Sequence, residues 1–296
     1  LTHEVKNFAE WKKVFDAEKP AAVVLMDDIT VFGRSAVASA RKEGIKSVSV
    51  QWGIFRENPA FFKTYADYWA LTSTEDKKYL ISKGIDVKKL AVTGQPRFDY
   101  LADAEKLFSR KKLIEELGLD ESKKVIVLAT QPTRGEKEVI EATLRAVKQL
   151  SGVQLVLKVH PIEEDFLHKK LVAQAGVDAK VVKNINLHEL LHASDLLITA
   201  FSTTALEAMI LRKPVITLNF TAGKEIIPFA GSGSAIEVRA PGRLAEAIGD
   251  ALWNAGKRKK MFSKQKKFVY ENSFKIDGKA AKRVADFIEK IMKKNN

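Results

Sequence analysis

The sequence contains no cysteine, so this chain can build neither a disulfide framework nor a thiolate metal site. It has no run of about 18 apolar residues, the length that a membrane-spanning helix needs. Zinc-finger, RNA-binding and DNA-binding motifs and internal repeats are also absent. No Asp-x-Asp run lies in a suitable loop, since Asp27 and Asp28 are adjacent rather than spaced. We therefore expect no metal ion and no cofactor to be required.

Positive charge is in excess, with 50 Lys and Arg against 37 Asp and Glu. Between residues 255 and 296 the count is 14 basic and 4 acidic residues, so this stretch carries most of the excess. A dense cluster lies within it, formed by Lys257, Arg258, Lys259, Lys260, Lys264, Lys266 and Lys267. This basic cluster is either a solvated helix face or a surface that docks on an anionic membrane. Because no nucleic-acid motif accompanies it, we expect no nucleic-acid partner.

Apolar strands and amphipathic helices alternate along the whole chain, which predicts an α/β protein with two parallel sheets. The chain length of 296 residues suits two domains. We predict a first Rossmann-like domain over residues 1–118 and a second over 119–276. A last helix over 277–296 is expected to pack back on the first domain. The first domain is short for its class, which favours a missing N-terminal portion.

Residues 194–220 read as a strand, a turn, a helix and a second strand. The turn contains Ser202, Thr203 and Thr204, and we expect Thr203 or Thr204 to cap the helix in a capping box with Glu207. Ligands of such βαβ units bind at the carboxyl end of the strand, where helix N–H groups attract anions. The hydroxyl cluster therefore indicates either a phosphate site or an ordinary structural cap.

Two more polar loops follow strands of the second domain. Thr130 and Gln131 come after one strand, and Lys158 and His160 end the next. A single histidine at such a place is more often structural. Three polar loops at successive strand ends, however, would meet in one crevice, as a nucleotide diphosphate site requires.

The first domain offers polar groups at its own strand ends. Asp27 and Asp28 follow the first strand, where they could serve as an acid or base or could cap a loop. Arg97 could bind an anion or pair with Asp99. Gly94 is expected to permit a tight backbone turn.

Several segments resemble GT-B type nucleotide-sugar enzymes, in particular surface-polysaccharide glycosyltransferases, CDP-glycerol glycerophosphotransferases and UDP-N-acetylglucosamine 2-epimerases. The matching segments are spread from residue 50 to residue 288. The matching segments are VQWGI at 50–54, VTGQPRFD at 92–99, ATQPT at 129–133, LKVHP at 157–161, SDLLITAFSTTALEAMILRKPVI at 194–216 and DGKAAKRVADFI at 277–288.

The resemblance implies a GT-B-like fold in which the second domain binds the activated donor and the first holds the acceptor. It implies that Glu207 contacts the ribose or sugar. The base would lie near Asn186, Leu187 and His188. The acceptor side would involve Gln51, Gly53, Gly94 and Arg97. The donor, including its phosphates, would be bound by Thr130, Gln131, Arg134, Lys158, His160, Ser202, Thr203, Thr204 and Glu207.

The sequence departs from these relatives at two points. Trp52 stands where many relatives have a histidine, which removes one possible catalytic imidazole. The candidate catalytic residues are Asp27, Asp28 and His160. The loop at 131–135 also lacks the His-Arg-x-Glu-Asn stretch of the epimerases.

The favoured function is transfer of a sugar or polyol phosphate from a nucleotide donor to a glycan or lipid-linked acceptor in surface polysaccharide synthesis. The alternatives are UDP-N-acetylglucosamine 2-epimerization and sugar-nucleotide binding without catalysis. We expect a cytoplasmic protein that is peripheral at the inner face of the membrane.

Overall fold

The computed structural model describes residues 2–54, 65–132, 135–200, 202–221, 223, 225 and 227–293. All strand pairings in this part of the chain are parallel. The strands are β1 (Ala22–Leu25), β2 (Lys46–Val50), β3 (Tyr68–Leu71), β4 (Leu90–Val92), β5 (Lys124–Ala129), β6 (Val153–Lys158), β7 (Ala179–Val182), β8 (Leu196–Thr199), β9 (Val215–Leu218) and β10 (Ile236–Val238).

The helices separate these strands in the alternating order that the sequence predicts. They are α1 (Thr2–Glu18), α2 (Val31–Lys42), α3 (Thr74–Ser82), α4 (Ala104–Leu107), α5 (Arg110–Glu116), α6 (Glu136–Lys148), α7 (Phe166–Ala175), α8 (Leu187–Ala193), α9 (Thr204–Ile210), α10 (Leu244–Trp253), α11 (Ala255–Ser273) and α12 (Ala280–Lys293). None of the described helices is both long and apolar enough to span a bilayer.

The chain divides into two compact units, one of Leu1–Ala102 with Tyr270–Asn296 and one of Asp103–Val269. The sequence places the boundaries at 118/119 and 276/277 instead. The charged sequence of residues 102–119 predicts one helix between the domains. This prediction is wrong, because the chain forms a 3₁₀ segment at Pro96–Asp103 and then the separate α4 and α5. Ser109 starts α5 by accepting a hydrogen bond from Lys112 N, which fixes the break.

The first unit contains a four-stranded sheet in the order β1-β2-β3-β4. Its apolar core includes Val37, Trp69, Leu71 and Leu80. The last helix belongs to this unit, since the Asp99 carboxylate accepts hydrogen bonds from Ala280 N and Ala281 N, both at 2.8 Å. Asp99 thereby satisfies two of the N–H groups that a helix start leaves without intrahelical partners.

The second unit contains a six-stranded sheet in the order β10-β9-β8-β5-β6-β7. Residues of β8 and β9 are buried throughout, as expected of parallel strands covered on both faces. Helices α6 and α10 contribute Ile140, Leu144 and Ile248 to the same core. This core holds the carboxyl ends of the strands, and the loops that follow them, in a fixed register.

Candidate functional site

The strand order of the second unit reverses between β5 and β8. From β5 the chain proceeds outward through β6 and β7, and it then returns to the other side of β5 as β8. Ala129 at the end of β5 pairs with both Lys158 of β6 and Thr199 of β8. In open α/β sheets, ligands bind outside the carboxyl ends of the strands at such a reversal. The three polar loops of the sequence therefore follow three neighbouring strands.

Thr130 and His160 are tied together by Glu163. The Thr130 Oγ1 hydroxyl donates to Glu163 Oε2 at 2.8 Å, and the backbone N–H of His160 lies 3.2 Å from both Thr130 Oγ1 and Glu163 Oε2. Thr130 and Glu163 are buried. The loops after β5 and β6 are thus joined below the crevice, which holds the His160 backbone in place.

The His160 ring is half-buried and keeps a donor for a ligand. Its Nδ1 lies 3.4 Å from Ile162 N. Since the backbone N–H is the donor in this long contact, Nδ1 accepts and the ring proton belongs on Nε2 in the neutral form. His160 is therefore able to donate a hydrogen bond from Nε2 to a phosphate oxygen.

Lys158 is the last residue of β6, and its side chain is buried. Its ammonium Nζ donates to Val159 O at 2.8 Å. Burial lowers the pKa of Lys158. Gln131 is half-buried in the neighbouring loop, while Arg134 lies outside the described residues.

Ser202 organises the turn before α9. Its Oγ accepts from Thr204 N at 3.1 Å and donates to Thr204 Oγ1 at 2.8 Å. The prediction of a capping box is wrong, because the Thr203 side chain makes no capping hydrogen bond and Glu207 contacts His188 of another helix. The hydroxyl groups of Ser202 and Thr204 are thus hydrogen-bonded to each other within a compact polar turn.

Glu207 faces His188 of α8. Glu207 Oε2 lies 3.0 Å from His188 Nε2, and the glutamate is only 5% exposed. Asn186 begins α8 by accepting hydrogen bonds from His188 N and Glu189 N. Leu187 is half-buried beside it. The residues implied for the base and for the ribose therefore meet on two adjoining helices.

A further acidic group lies close to Glu163. Glu136 begins α6, and burial together with the neighbouring Glu163 carboxylate raises the pKa of Glu136 to about 8. Two carboxylates held this close resist ionising together. Neither of these glutamates is predicted from the sequence, since neither follows a strand directly or belongs to a recognised motif.

A pocket at the carboxyl ends of β8, β9 and β10 adds residues that the sequence reading misses. Thr217 and Asn219 line it together with Ala200. Within the described ranges, Thr217 Oγ1 and Asn219 Oδ1 are buried and have no hydrogen-bond partner. The available signal was the position of Asn219, which directly follows β9 as Thr130 follows β5.

The two aspartates after β1 both accept hydrogen bonds from backbone N–H groups. Asp28 is fully buried, and its Oδ2 accepts from Tyr65 N and Ala66 N, each at 2.8 Å. Burial raises the pKa of Asp28. Asp27 is half-buried, and its Oδ1 accepts from Ile29 N at 2.7 Å and Thr30 N at 3.2 Å. For Asp28 the structural alternative therefore holds, because its carboxylate is buried and accepts backbone N–H groups.

Gln51 is also a buried structural residue. Its Nε2 donates to Asp76 Oδ2 at 2.9 Å and to Gly53 O, and its Oε1 accepts from Thr72 N at 2.9 Å. The side chain thus joins the ends of β2 and β3 to the start of α3. This network fixes the first-unit loops rather than presenting the Gln51 amide to solvent.

Gly94 and Arg97 follow β4. Gly94 has φ +81°, and an added Cβ would lie 3.2 Å from Arg283 Nη2 and 3.4 Å from Ala280 Cβ. Only glycine combines this backbone geometry with so close an approach. Arg97 is exposed and lies over the Phe98 ring at 4.7 Å. Both carboxylate oxygens of Asp99, its possible partner, accept N–H groups of α12.

A family model described as CDP-glycerol:poly(glycerophosphate) glycerophosphotransferase matches residues 62–290. The chain belongs to this family. Among curated relatives, it is similar to the teichoic acid poly(ribitol-phosphate) polymerase of Bacillus spizizenii, with 29% identity over 222 residues. This alignment covers 72% of the present chain and 35% of that protein. The family member described here thus spans about a third of the length of that relative.

Solved structures similar to this family member show its fold. A putative UDP-N-acetylglucosamine 2-epimerase from Listeria monocytogenes has a TM-score of 0.75 at 19% identity, covering 99% of this chain and 80% of that one. A wall teichoic acid polymerase has a TM-score of 0.62 at 20% identity, covering 86% and 70%. The two parallel-sheet units are of the GT-B type, as the sequence predicts.

Proposed function

We propose that this chain transfers a polyol phosphate from a cytidine-diphosphate polyol to a growing surface polymer or a lipid-linked acceptor. The observation that carries the proposal is the convergence of Thr130, His160 and Ser202 at the strand-order reversal of the second unit. The family description and the teichoic acid relative support this donor class over an epimerase substrate.

The reaction requires charge stabilisation on the departing nucleotide. An acceptor hydroxyl attacks the phosphorus that carries the polyol, the bond from this phosphorus to the bridging oxygen breaks, and CMP leaves with the electron pair. His160 Nε2–H and the Lys158 ammonium are the groups proposed to bind the phosphates as this charge grows. Glu163 acts indirectly, because it fixes the His160 backbone. We propose that transfer needs no cofactor.

Asp27 is our proposed proton acceptor for the attacking hydroxyl. Its Oδ1 is occupied by the turn that starts α2, and Oδ2 has no hydrogen-bond partner among the described residues. Asp28 is not proposed for this role, because it is fully buried and its Oδ2 holds two backbone N–H groups.

The proposed acceptor also has a consequence for the cellular location of the protein. A lipid-linked acceptor would bring the enzyme to an anionic membrane face, which we propose is the inner one. In the basic cluster of α11, Lys259, Lys260 and Lys264 are exposed, whereas Lys257 pairs with Asp250 at 2.5 Å. Basic residues near an anionic leaflet contribute about 1 kcal/mol each.

CMP release tests the activity directly. The purified chain is incubated with CDP-glycerol or CDP-ribitol and a glycerol-phosphate-primed lipid acceptor, and UDP-N-acetylglucosamine is assayed in parallel. We expect acceptor-dependent CMP release from a CDP-polyol and no epimerization. His160→Ala and Ser202→Ala should each weaken CDP-polyol binding by about 1.5–3 kcal/mol without unfolding the chain.

Two outcomes would overturn the transferase proposal. Epimerization of UDP-N-acetylglucosamine without CMP release would favour the epimerase function. Binding of a CDP-polyol with no turnover on any primed acceptor would favour a binding module. Affinity left unchanged in both variants would remove His160 and Ser202 from the site.

A further inference from the structure

Three side chains of the second unit converge outside the phosphate-facing residues. Glu136 begins α6, Glu163 lies in the turn after β6, and His168 lies in α7. Each offers a ligand atom, and these atoms all lie within 4.8 Å of one another. Glu163 is 8% exposed and His168 is 1% exposed. The three residues therefore form a compact, largely buried O,O,N set contributed by three different segments.

The hydrogen bonding of His168 leaves one ring nitrogen without a proton. His168 Nδ1 lies 3.2 Å from the carbonyl oxygen of Glu164. Because a carbonyl only accepts, Nδ1 must carry the proton, and Nε2 of the neutral ring presents a lone pair. A backbone carbonyl that fixes the tautomer and the ring orientation in this way is a usual partner of metal-binding histidines.

The atoms that face one another are buried and unsatisfied. His168 Nε2 lies 2.9 Å from Glu136 Oε1. Across the described ranges of the chain, neither atom has a hydrogen-bond partner of ordinary geometry, and neither does Glu163 Oε1. No lysine or arginine in those ranges pairs with either glutamate. Among the described residues, Glu136 Oε1, Glu163 Oε1 and His168 Nε2 are thus three buried polar atoms without a hydrogen-bond partner, which a buried polar atom normally has.

We propose that Glu136, Glu163 and His168 bind one divalent transition-metal ion of the Zn²⁺ class. Two carboxylates with one imidazole form a ligand set that suits Zn²⁺, whereas Mg²⁺ and Ca²⁺ favour oxygen ligands throughout. A 2.9 Å separation between Nε2 and Oε1 is short enough for both atoms to reach one ion at about 2.0–2.2 Å, and the full set of ligand atoms, within 4.8 Å of one another, would draw closer around it. This site is additional to the donor site and does not depend on the proposed transfer reaction.

The position of Glu163 gives the ion a structural role. One carboxylate oxygen of Glu163 holds Thr130 and the His160 backbone, while the other has no partner in the described part of the chain. An ion on the second oxygen would tie the first turns of α6 and α7 to these loops. The metal would thus brace the loops that follow β5 and β6 without contacting the reacting atoms.

Metal content and stability test the site without any activity assay. Tag-free, chelator-treated protein is dialysed against Zn²⁺, Mn²⁺ or Mg²⁺, bound metal is measured by mass spectrometry, and the unfolding temperature is recorded. We expect one Zn²⁺ per chain and a higher unfolding temperature with Zn²⁺ than with Mg²⁺, because an ion that binds the native state stabilises it. Glu163→Gln and His168→Asn should each weaken Zn²⁺ binding by at least about tenfold.

His192→Asn is the matched control. His192 Nε2 lies 3.3 Å from Glu105 Oε2 in the same unit, but only one carboxylate is present and its side chain is 93% exposed. This variant should bind Zn²⁺ as the unmodified chain does. Circular dichroism verifies that Glu163→Gln and His168→Asn are folded. Absence of bound Zn²⁺ in the unmodified chain, or equal binding in folded Glu163→Gln and His168→Asn, would overturn the proposal.

Discussion

His188 Nε2 and Glu207 Oε2 lie 3.0 Å apart, and they link α8 to α9. Both side chains are largely buried. A buried carboxylate keeps its charge at low energetic cost only when it is hydrogen-bonded or paired. This contact therefore supports the start of α9, directly beside the turn that contains Ser202.

The contact predicts energetic coupling between the two residues. Glu207→Gln and His188→Asn should each lower the free energy of unfolding. The double variant should lose less than the sum of the two, with a coupling of about 0.5–3 kcal/mol. Chemical unfolding of all four proteins measures this coupling, and titration with CDP shows whether donor affinity follows it. Additive losses in stability would show that the contact contributes little.

Asp28 should make the stability of the first unit depend on pH. Burial raises the pKa of Asp28 in the folded chain above its unfolded value. The stabilisation of the folded chain by protonated Asp28 is therefore complete at a pH below the pKa that Asp28 has in the unfolded chain. This stabilisation is lost as the pH rises through the pKa of Asp28 in the folded chain. The Asp28→Asn variant cannot ionise at this position and does not suffer this loss. The free energy of unfolding of the variant should therefore increase, relative to that of the unmodified chain, from about pH 4 towards pH 7. Urea unfolding at several pH values measures the trend, and a pH-independent difference would contradict it.

Removing the Asp28 carboxylate should lower the free energy of unfolding at every pH. Asp28→Ala leaves Tyr65 N and Ala66 N without the carboxylate that now accepts both hydrogen bonds. The expected loss in the free energy of unfolding is about 2–6 kcal/mol, since each of the two unsatisfied donors costs about 1–3 kcal/mol. A loss below about 1 kcal/mol would mean that water replaces the carboxylate.

Asp27 is predicted to affect turnover while leaving donor binding unchanged. Asp27→Asn keeps the Oδ1 acceptor for Ile29 N and Thr30 N, so the turn before α2 should persist. Loss of a general base should reduce acceptor-dependent CMP release by about 10²–10⁴-fold. CDP-glycerol affinity, measured by calorimetry, should not change. Full activity in Asp27→Asn would place the base elsewhere.

The basic cluster of α11 is predicted to bind anionic vesicles. The quadruple replacement of Lys259, Lys260, Lys264 and Lys266 by Glu should abolish co-sedimentation with anionic vesicles at low salt. Salt should weaken binding of the unmodified chain, because exposed charges are screened within about 10 Å at 0.1 M. The matched control makes the same charge change at Lys111, Lys112, Lys169 and Lys170, which are also exposed in the second unit.

Two results of the sedimentation experiment would contradict membrane docking. Equal, negligible pelleting of the unmodified chain with anionic and neutral vesicles would leave the cluster as a solvated helix face. An equal loss of co-sedimentation with anionic vesicles in both quadruple variants would show that net charge, rather than the α11 surface, determines pelleting.

Local patterns predict the strands and the polar residues that follow them. Apolar runs bounded by turns predict β5, β6, β8 and β9. Thr130 and His160 are predicted as site residues because they follow the carboxyl ends of two of these strands. Long-range partners were not predictable in this way. Asp28 receives N–H groups from residues 65 and 66, which lie 37 and 38 positions further along the chain. No periodicity specifies such a pairing, because it depends on how the finished sheet aligns its loops.

The same limit applies to helix starts. A capping box was expected at α9, but Ser202 accepts the Thr204 N–H and Glu207 pairs with His188 instead. A side chain that can cap locally will take a distant partner when tertiary packing brings one close. Glu136 and His168 come together through the same kind of packing, so their proximity had no counterpart in sequence spacing.

The attachment of α12 to Asp99 has a consequence for synthesis on the ribosome. Asp99 and Gly94 receive a helix whose residues are translated only after the whole of Asp103–Val269. The six-stranded sheet can therefore close while the nascent first unit still lacks its last helix. Because domains generally fold as units during translation, the first unit can complete its fold only after the residues of the second unit have been translated.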